Sequence, residues 1–270
     1  MGLLYLRTWA IEAGKPGSQG LRFEDIDLTF TVRMNGRSKP TLTDVTVFNP
    51  SDELIGLLGQ SGTIVRVLAG YEEDGAAEVG QGTIVKDSLD DLKLSADPRV
   101  SFQLTNAGRV LASTTISKSW RTVKASEVIE YIRQQMGLTP DVIIFAKDPL
   151  FSRGYVASGS PGLALASLVA DCGCQYTIVD GRLRIWPKGQ IARQKKDVWA
   201  EDTGLLEAQR SSDGKTIRAR ALLRPGLRVG DTLQIESPVH NGNVVVQSGA
   251  HDGDTTSDSW YTSIVGAPIG

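Results

Sequence analysis

Ala221-Leu-Leu-Arg-Pro-Gly-Leu-Arg-Val-Gly-Asp231 opens the closing segment of the chain, and its reading decides the fold. A strand is expected at Thr232–Glu236, followed by His240-Asn241-Gly242-Asn243 and the apolar run Val244-Val245-Val246. Asn-Gly between two β-rich runs is a strong hairpin signal, because both central residues of a type I′ turn need positive φ. Pro238 interrupts the first strand near its end, since it has no N–H for a ladder. Gly249-Ala-His-Asp-Gly-Asp254 reads as a loop, and Trp260–Val265 as the last strand.

The N-terminal third is also β-rich. From Ile26 to Val32, Ile, Leu, Phe and Val alternate with Asp, Thr and Thr, the pattern of a half-buried strand. Asn35-Gly36 reads as a turn into a second strand at Leu42–Phe48. Asn49 and Pro50 suit the N-cap and first position of a short helix, with Leu54, Leu57 and Leu58 as its stripe and Gly59 as its stop. Gly62–Tyr71 and Val79–Asp87 read as further strands, and polar Asp90–Pro98 as a boundary.

The middle changes character. Strands are expected at Val100–Leu104, Val110–Ser117 and Val142–Phe145. Val128, Ile129, Ile132 and Met136 share one face of a helix ended by Gly137. Ser160-Pro161 opens a second helix with the stripe Leu165, Leu168, Val169 and Cys172, ended by Gly173. Gln175–Val179 and Arg182–Trp186 flank Asp180-Gly181, a hairpin with a type I′ turn. Residues 190–215 are polar, and Arg193, Lys195 and Lys196 read as a solvated loop. Two weak parallels link the β-rich ends: Ser61-Gly-Thr-Ile-Val-Arg-Val with Val229-Gly-Asp-Thr-Leu-Gln-Ile, and Gly82-Thr-Ile-Val with Gly242-Asn-Val-Val. The fold class is therefore β-rich α+β, divided as 1–97, 98–190 and 191–270.

Bulk numbers exclude several classes. The chain has 270 residues, 40% hydrophobic and 22% charged, with a formal net charge of −2. No basic excess marks a grip on phosphates. No run approaches the ~20 apolar residues of a membrane helix, and Met1–Ile11 lacks the basic start of a signal peptide. Cys172 and Cys174 are too close for good disulfide geometry and are expected as buried thiols, which suits folding in a reducing cytosol.

Catalytic patterns are missing. His251-Asp252 could pair as a base and its orienting carboxylate, but no Gly-x-Ser-x-Gly elbow supplies a nucleophile, so a hairpin loop is the expected role. His240 is expected in an exposed turn. Asp252, Asp254 and Asp258 lack the spacing and closing Glu of an EF-hand. No Walker loop or Gly-x-Gly-x-x-Gly follows a strand. No catalytic, cofactor or metal residue is assigned. Trp9 and Trp199 lie in weakly patterned segments and are the interface candidates among five tryptophans.

The closing segment resembles the last β-barrel of the central hub protein in contractile-tail baseplates, where a Pro-Gly-Leu-x-x-Gly-Asp turn precedes a strand and a His-x-Gly-Asp loop leads to a Trp-containing strand. Phe48-Asn-Pro-Ser51 before a helix, Ala69-Gly-Tyr-Glu72 and Gly82-Thr-Ile-Val resemble its first barrel. Ala125-Ser-Glu-Val128, Gly137-Leu138 and the Ser160 helix resemble its inserted domain. The resemblance covers nearly the whole chain at low motif specificity. It implies two tube-like β-barrel domains with an inserted small α+β domain, and a non-enzymatic virion protein, assembled in the host cytoplasm. Its trimer would adapt the six-fold tail tube to a three-fold central spike, alongside other baseplate proteins. DNA would pass through without sequence-specific binding, past some acidic residues, with Glu72-Glu73-Asp74, Glu78, Asp87 and Asp90-Asp91 as the acidic loops. No cofactor and no membrane anchor is implied. The length leaves no room for an added lysozyme-like domain, which argues against a cell-wall-cutting role. The alternative is a carbohydrate- or receptor-binding β module of a virion or secretion system, with exposed tryptophans stacking on sugars.

Overall fold

Leu28, Phe30, Val32 and Met34 are buried while the residues between them reach solvent, so the alternation in the sequence is the alternation of a real strand. The computed structural model describes residues 6–15, 17–34, 42–85, 87–91, 98–105, 115–179 and 181–269. Asn35-Gly36, most of Val110–Ser117, Asp180 and the side chains of Lys195 and Lys196 lie outside the described set.

The N-terminal part contains β1 (Arg7–Gly14), β2 (Leu21–Phe23), β3 (Leu28–Met34), β4 (Leu42–Phe48), α1 (Asp52–Leu58), β5 (Ile64–Tyr71), β6 (Gly75–Ile84), β7 (Asp90–Asp91) and β8 (Arg99–Thr105). Ser51, rather than Asn49, caps α1: its Oγ accepts from the Leu54 N–H at 3.2 Å. Asn49 instead turns the chain with φ of 47°, a left-handed conformation that Asn tolerates. The middle contains β9 (Ile116–Trp120), β10 (Val123–Lys124), α2 (Ala125–Gln135), β11 (Thr139–Ile143), β12 (Leu150–Phe151), β13 (Tyr155–Gly159), α3 (Pro161–Asp171), β14 (Cys174–Val179) and β15 (Arg182–Pro187). Both helices turn their expected stripes inward: Val128, Ile129, Ile132, Leu165, Leu168, Val169 and Cys172 are all at most 1% exposed. The closing part contains β16 (Arg193–Trp199), a 3-10 turn at Glu201–Thr203, β17 (Leu205–Arg210), β18 (Ile217–Leu222), β19 (Asp231–Glu236), β20 (Asn241–Asp254) and β21 (Trp260–Ile269).

The two β-rich ends are joined in one 14-stranded sheet. Its main path runs β17-β18-β21-β20-β3-β4-β8-β6-β5-β1-β2, with β16, β19 and β7 branching from it. The join is made by β20. Its first half, Asn241–Val245, pairs with β19, and its second half, Gly249–Asp254, pairs with β3. Three apolar clusters form: one under the N-terminal strands, one inside the middle unit, and one under the closing strands.

Four expectations need correction. The turn between β19 and β20 lies at Ser237–His240, because Pro238 ends the ladder; Asn241 and Gly242 are already paired with Glu236 and Ile235. Val100–Leu104 does not belong to the middle unit: β8 pairs with β4 along its whole length, so the N-terminal sheet extends past residue 97. Residues 193–199 form β16, a strand parallel to β19, instead of a loop. Gly249–Asp254 is a strand as well. Its glycines are needed because a Cβ at Gly253 would overlap the ring of Phe30, and one at Gly249 would overlap the Ser263 carbonyl.

The internal parallel holds for the hairpins and fails beside them. β5–β6 and β19–β20 are both antiparallel hairpins, with Val65 and Val67 buried in one and Leu233 and Ile235 in the other. The outer neighbour of β5 is antiparallel, whereas that of β19 is parallel.

Candidate functional site

Two of the three clusters share the loop that opened the sequence reading: Leu223 lies in the N-terminal cluster, and Leu227 and Val229 in the closing one. Asp231 has no exposed side-chain surface. One carboxylate oxygen accepts from Arg184 Nη1 at 2.9 Å, and the other accepts from the Arg228 N–H at 2.9 Å. Arg184 is itself 5% exposed in its side chain and also pairs with Asp141 and donates to the Val229 carbonyl at 3.3 Å. Buried Arg and Asp are rare unless paired, so these contacts are what make the burial tolerable. Arg228 reaches the N-terminal part, donating from Nη2 to the Glu78 carbonyl at 3.1 Å. One loop thus ties β15 of the middle unit, β19 of the closing part and β6 of the N-terminal part.

β15 explains why the middle unit is seated there. Leu183 and Ile185 point into the middle cluster, while Trp186 joins the closing cluster. The strand is buried on both faces. Gly230, with φ of 86°, lets the loop pass under Trp186: a Cβ there would come within 3.0 Å of the indole and 2.8 Å of Ala192 Cβ.

His251 belongs to the same junction. It is fully buried inside β20, not in a turn. The Arg224 N–H donates to Thr262 Oγ1 at 2.7 Å; Thr262 Oγ1 lies 2.9 Å from His251 Nδ1; His251 Nε2 lies 3.1 Å from the Leu227 carbonyl. A carbonyl only accepts, so the contact with Leu227 places a hydrogen on Nε2, from which Arg228 Nη1 lies 3.5 Å. This ring staples the loop to β20 and β21. It has no surface on which a substrate could be presented. Asp252 is engaged by the Thr31 hydroxyl at 2.8 Å on the other face of the sheet.

The two interface candidates have different fates. Trp9 is half-buried, donates its indole N–H to the Ile26 carbonyl at 2.7 Å, and packs edge-on against Trp260 with ring centroids 6.1 Å apart. Trp199 is 0% exposed and lies in the closing cluster. It is therefore a core side chain with no surface to offer a partner: β16, read as a loop, is a strand that turns it inward. Trp186 and Trp260 are also buried and Trp120 is half-buried under Lys118, whose Nζ lies 5.0 Å from the ring centroid. Trp9 and Trp120 are thus the tryptophans that keep part of their surface.

Cys172 and Cys174 are free and buried. Burial pushes the Cys172 thiol up to about 11. Asp254 caps the exposed loop after β20, accepting from the N–H and hydroxyl of Thr256 at 2.9 and 2.8 Å. Among the described residues no group of three or more His, Cys, Asp or Glu could hold a metal ion, and no helix is long and apolar enough to cross a membrane.

Arg184, Arg228 and Asp231 were missed as a set by sequence reasoning. The available signal was Arg184 between Leu183 and Ile185 in a strand whose other face carries Trp186. An Arg there has no solvent-facing side and must find a buried partner.

No protein-family model matches the chain, and no curated protein sequence matches it. Solved structures do. The 43 kDa tail protein of prophage MuSo2 from Shewanella oneidensis is similar over 97% of this chain and 98% of its own, with a TM-score of 0.68 and 10% identity. The tail protein from Neisseria meningitidis MC58 is similar over 98% of both chains, with a TM-score of 0.65 and 9% identity. The E. coli c3393 protein is a component of the type VI secretion system described as similar in structure to the T4 tail proteins gp27 and gp5. It matches over 96% of this chain and 77% of its own, with a TM-score of 0.63 and 12% identity. The chain therefore shares, end to end, a fold found in phage tail and secretion-system proteins.

Proposed function

We propose that this chain is the structural hub of a contractile-tail baseplate or a related injection particle. It works as a homotrimer and not as an enzyme. One end of the trimer mates with the six-fold tail tube protein and the other with the three-fold central spike, while other baseplate proteins bind outside. The chain folds in the host cytoplasm, is built into the virion and takes part in genome ejection. Each copy supplies two tube-like β-barrel modules, the first extending through β8 and the second from about residue 191, with the α+β unit inserted between them. Six similar modules per trimer answer the six-fold tube. The observation that carries this reading is the end-to-end likeness to tail proteins, with no segment of the chain left over. The buried His251 leaves the hydrolase reading without a surface to work on.

Native mass spectrometry of the purified chain, alone and with candidate tube and spike proteins, tests this. The expected result is a trimer, formed alone or on adding the spike. A monomer under both conditions would contradict the proposal.

A further inference from the structure

We propose that a basic, aromatic ribbon on the middle unit is a docking site for an acidic segment of a partner polypeptide, one carrying apolar side chains between its carboxylates. β9 pairs with β13 and β10 with β12, so residues 116–124 and 150–159 run antiparallel as one two-stranded ribbon. It is interrupted where Arg121-Thr122 lies opposite Ser152-Arg153-Gly154. Gly154, with φ of 94°, makes the interruption possible: a Cβ there would lie 3.0 Å from the Trp120 carbonyl oxygen. The ribbon carries Lys118, Arg121, Lys124 and Arg153, all exposed, and no carboxylate. Four half-buried rings touch in series beside these cations. Tyr131 of α2 meets Trp120 with centroids 5.4 Å apart, Trp120 meets Tyr155 at 6.4 Å, and Tyr155 meets Phe151 at 4.7 Å. Leu150 and Val156, on the same ribbon, are 57% and 66% exposed.

The cations have no counter-charges of their own. Among the described residues no carboxylate lies within ion-pair distance of any of the four. The middle unit engages its acids elsewhere: Glu130 pairs with Arg133, Asp141 pairs with Arg184, and Asp148 accepts from the N–H and hydroxyl of Ser126 at 2.9 and 2.7 Å. Glu127 and Asp171 lie on the two helices. The positive sign of the ribbon opposes the chain's formal net charge of −2. Arginine and large aromatic side chains dominate binding energy at protein interfaces, and complementary charge selects the partner. Lys118, Arg121 and Lys124 recur at every third residue, about 10 Å apart at the rise of a strand. An extended peptide with carboxylates at every third residue matches that spacing. Nucleic acid fits less well. Lys118 Nζ lies 5.0 Å from the ring centroid of Trp120 and 4.4 Å from that of Tyr131, over faces on which a base would stack. A membrane surface calls for a broader apolar face than Leu150 and Val156 supply.

Fluorescence anisotropy on the full chain tests this with a labelled peptide that carries Glu at every third position and Leu or Ser between. The expected result is binding that weakens as salt rises, and no binding of the same peptide with Lys in place of Glu. Arg121→Glu with Arg153→Glu is expected to weaken binding at least tenfold. Both positions are exposed, so thermal melting should be unchanged; if the reversal disturbs folding, Arg121→Gln with Arg153→Gln carries the same test with a smaller loss. Absence of binding by the acidic peptide, or equal binding by the folded variant, would overturn the proposal. So would tighter binding of oligothymidylate or of phosphatidylglycerol vesicles that the same variant abolishes. The surface is independent of the hub reading: a chain that stays monomeric with and without spike would contradict that reading and still bind the peptide.

Discussion

Asp231→Ala should lower the stability of the folded chain by roughly 3–5 kcal/mol, the cost of removing one partner from a buried ion pair. The carboxylate is wholly buried and holds two donors, Arg184 Nη1 and the Arg228 N–H. Its removal strands a guanidinium that is 5% exposed, with Asp141 as the remaining charge partner. The effect is local in chemistry and global in consequence, because Arg184 belongs to the middle unit and Asp231 to the closing sheet. Urea denaturation of the variant should show the loss directly. In an Arg184→Met background the same Asp231→Ala change should cost clearly less, since the Arg184 guanidinium is no longer there to be stranded. Equal losses in both backgrounds would mean that the pair is not what holds the junction.

Trp260→Ala should cost about 3–5 kcal/mol, the range for truncating a large buried aromatic. Trp260 is 1% exposed and sits in the N-terminal cluster although it opens the last strand. Its ring packs edge-on against Phe30, with centroids 5.6 Å apart, and against Trp9. The Arg7 guanidinium lies 5.3 Å from its centroid, and Arg7 also donates to the carbonyls of Asp254, Ser257 and Asp258. The side chain therefore joins the first and last strands of the described fold. Its indole N–H is buried with no hydrogen-bond partner among the described residues. Trp260→Phe keeps an aromatic edge and removes that unmatched donor, so its loss should be well below that of the alanine variant. Calorimetric melting of both would decide; equal losses would show that the aromatic packing is not the source.

Much of this fold was legible because local signals and tertiary packing agree. The period-two run at Leu28–Met34, the helix stripe at Val128–Ile132 and the Ser160-Pro161 helix start are each built as read. The failures share a cause: segments whose state is set by distant partners. β16 is polar and stays extended because β19, over 30 residues later, pairs with it in parallel. Gly249 and Gly253 look like loop punctuation, yet they are strand residues made small by Ser263, Met34 and Phe30 crossing over them. The boundary drawn on polar Asp90–Pro98 did not foresee that β8 pairs with β4, a strand that ends at Phe48. At the junction, Asp231 was visible as the end of a turn, but its buried guanidinium partner comes from a strand 47 residues away.

The hub proposal meets its most direct test in the particle itself. A small tag on the exposed loop after β20, followed by electron microscopy of assembled particles, locates the chain. The account predicts label on the tail axis, between tube and spike, with three copies per particle arranged as six similar β modules. Label on the tail periphery, or at the distal fibres, would contradict it.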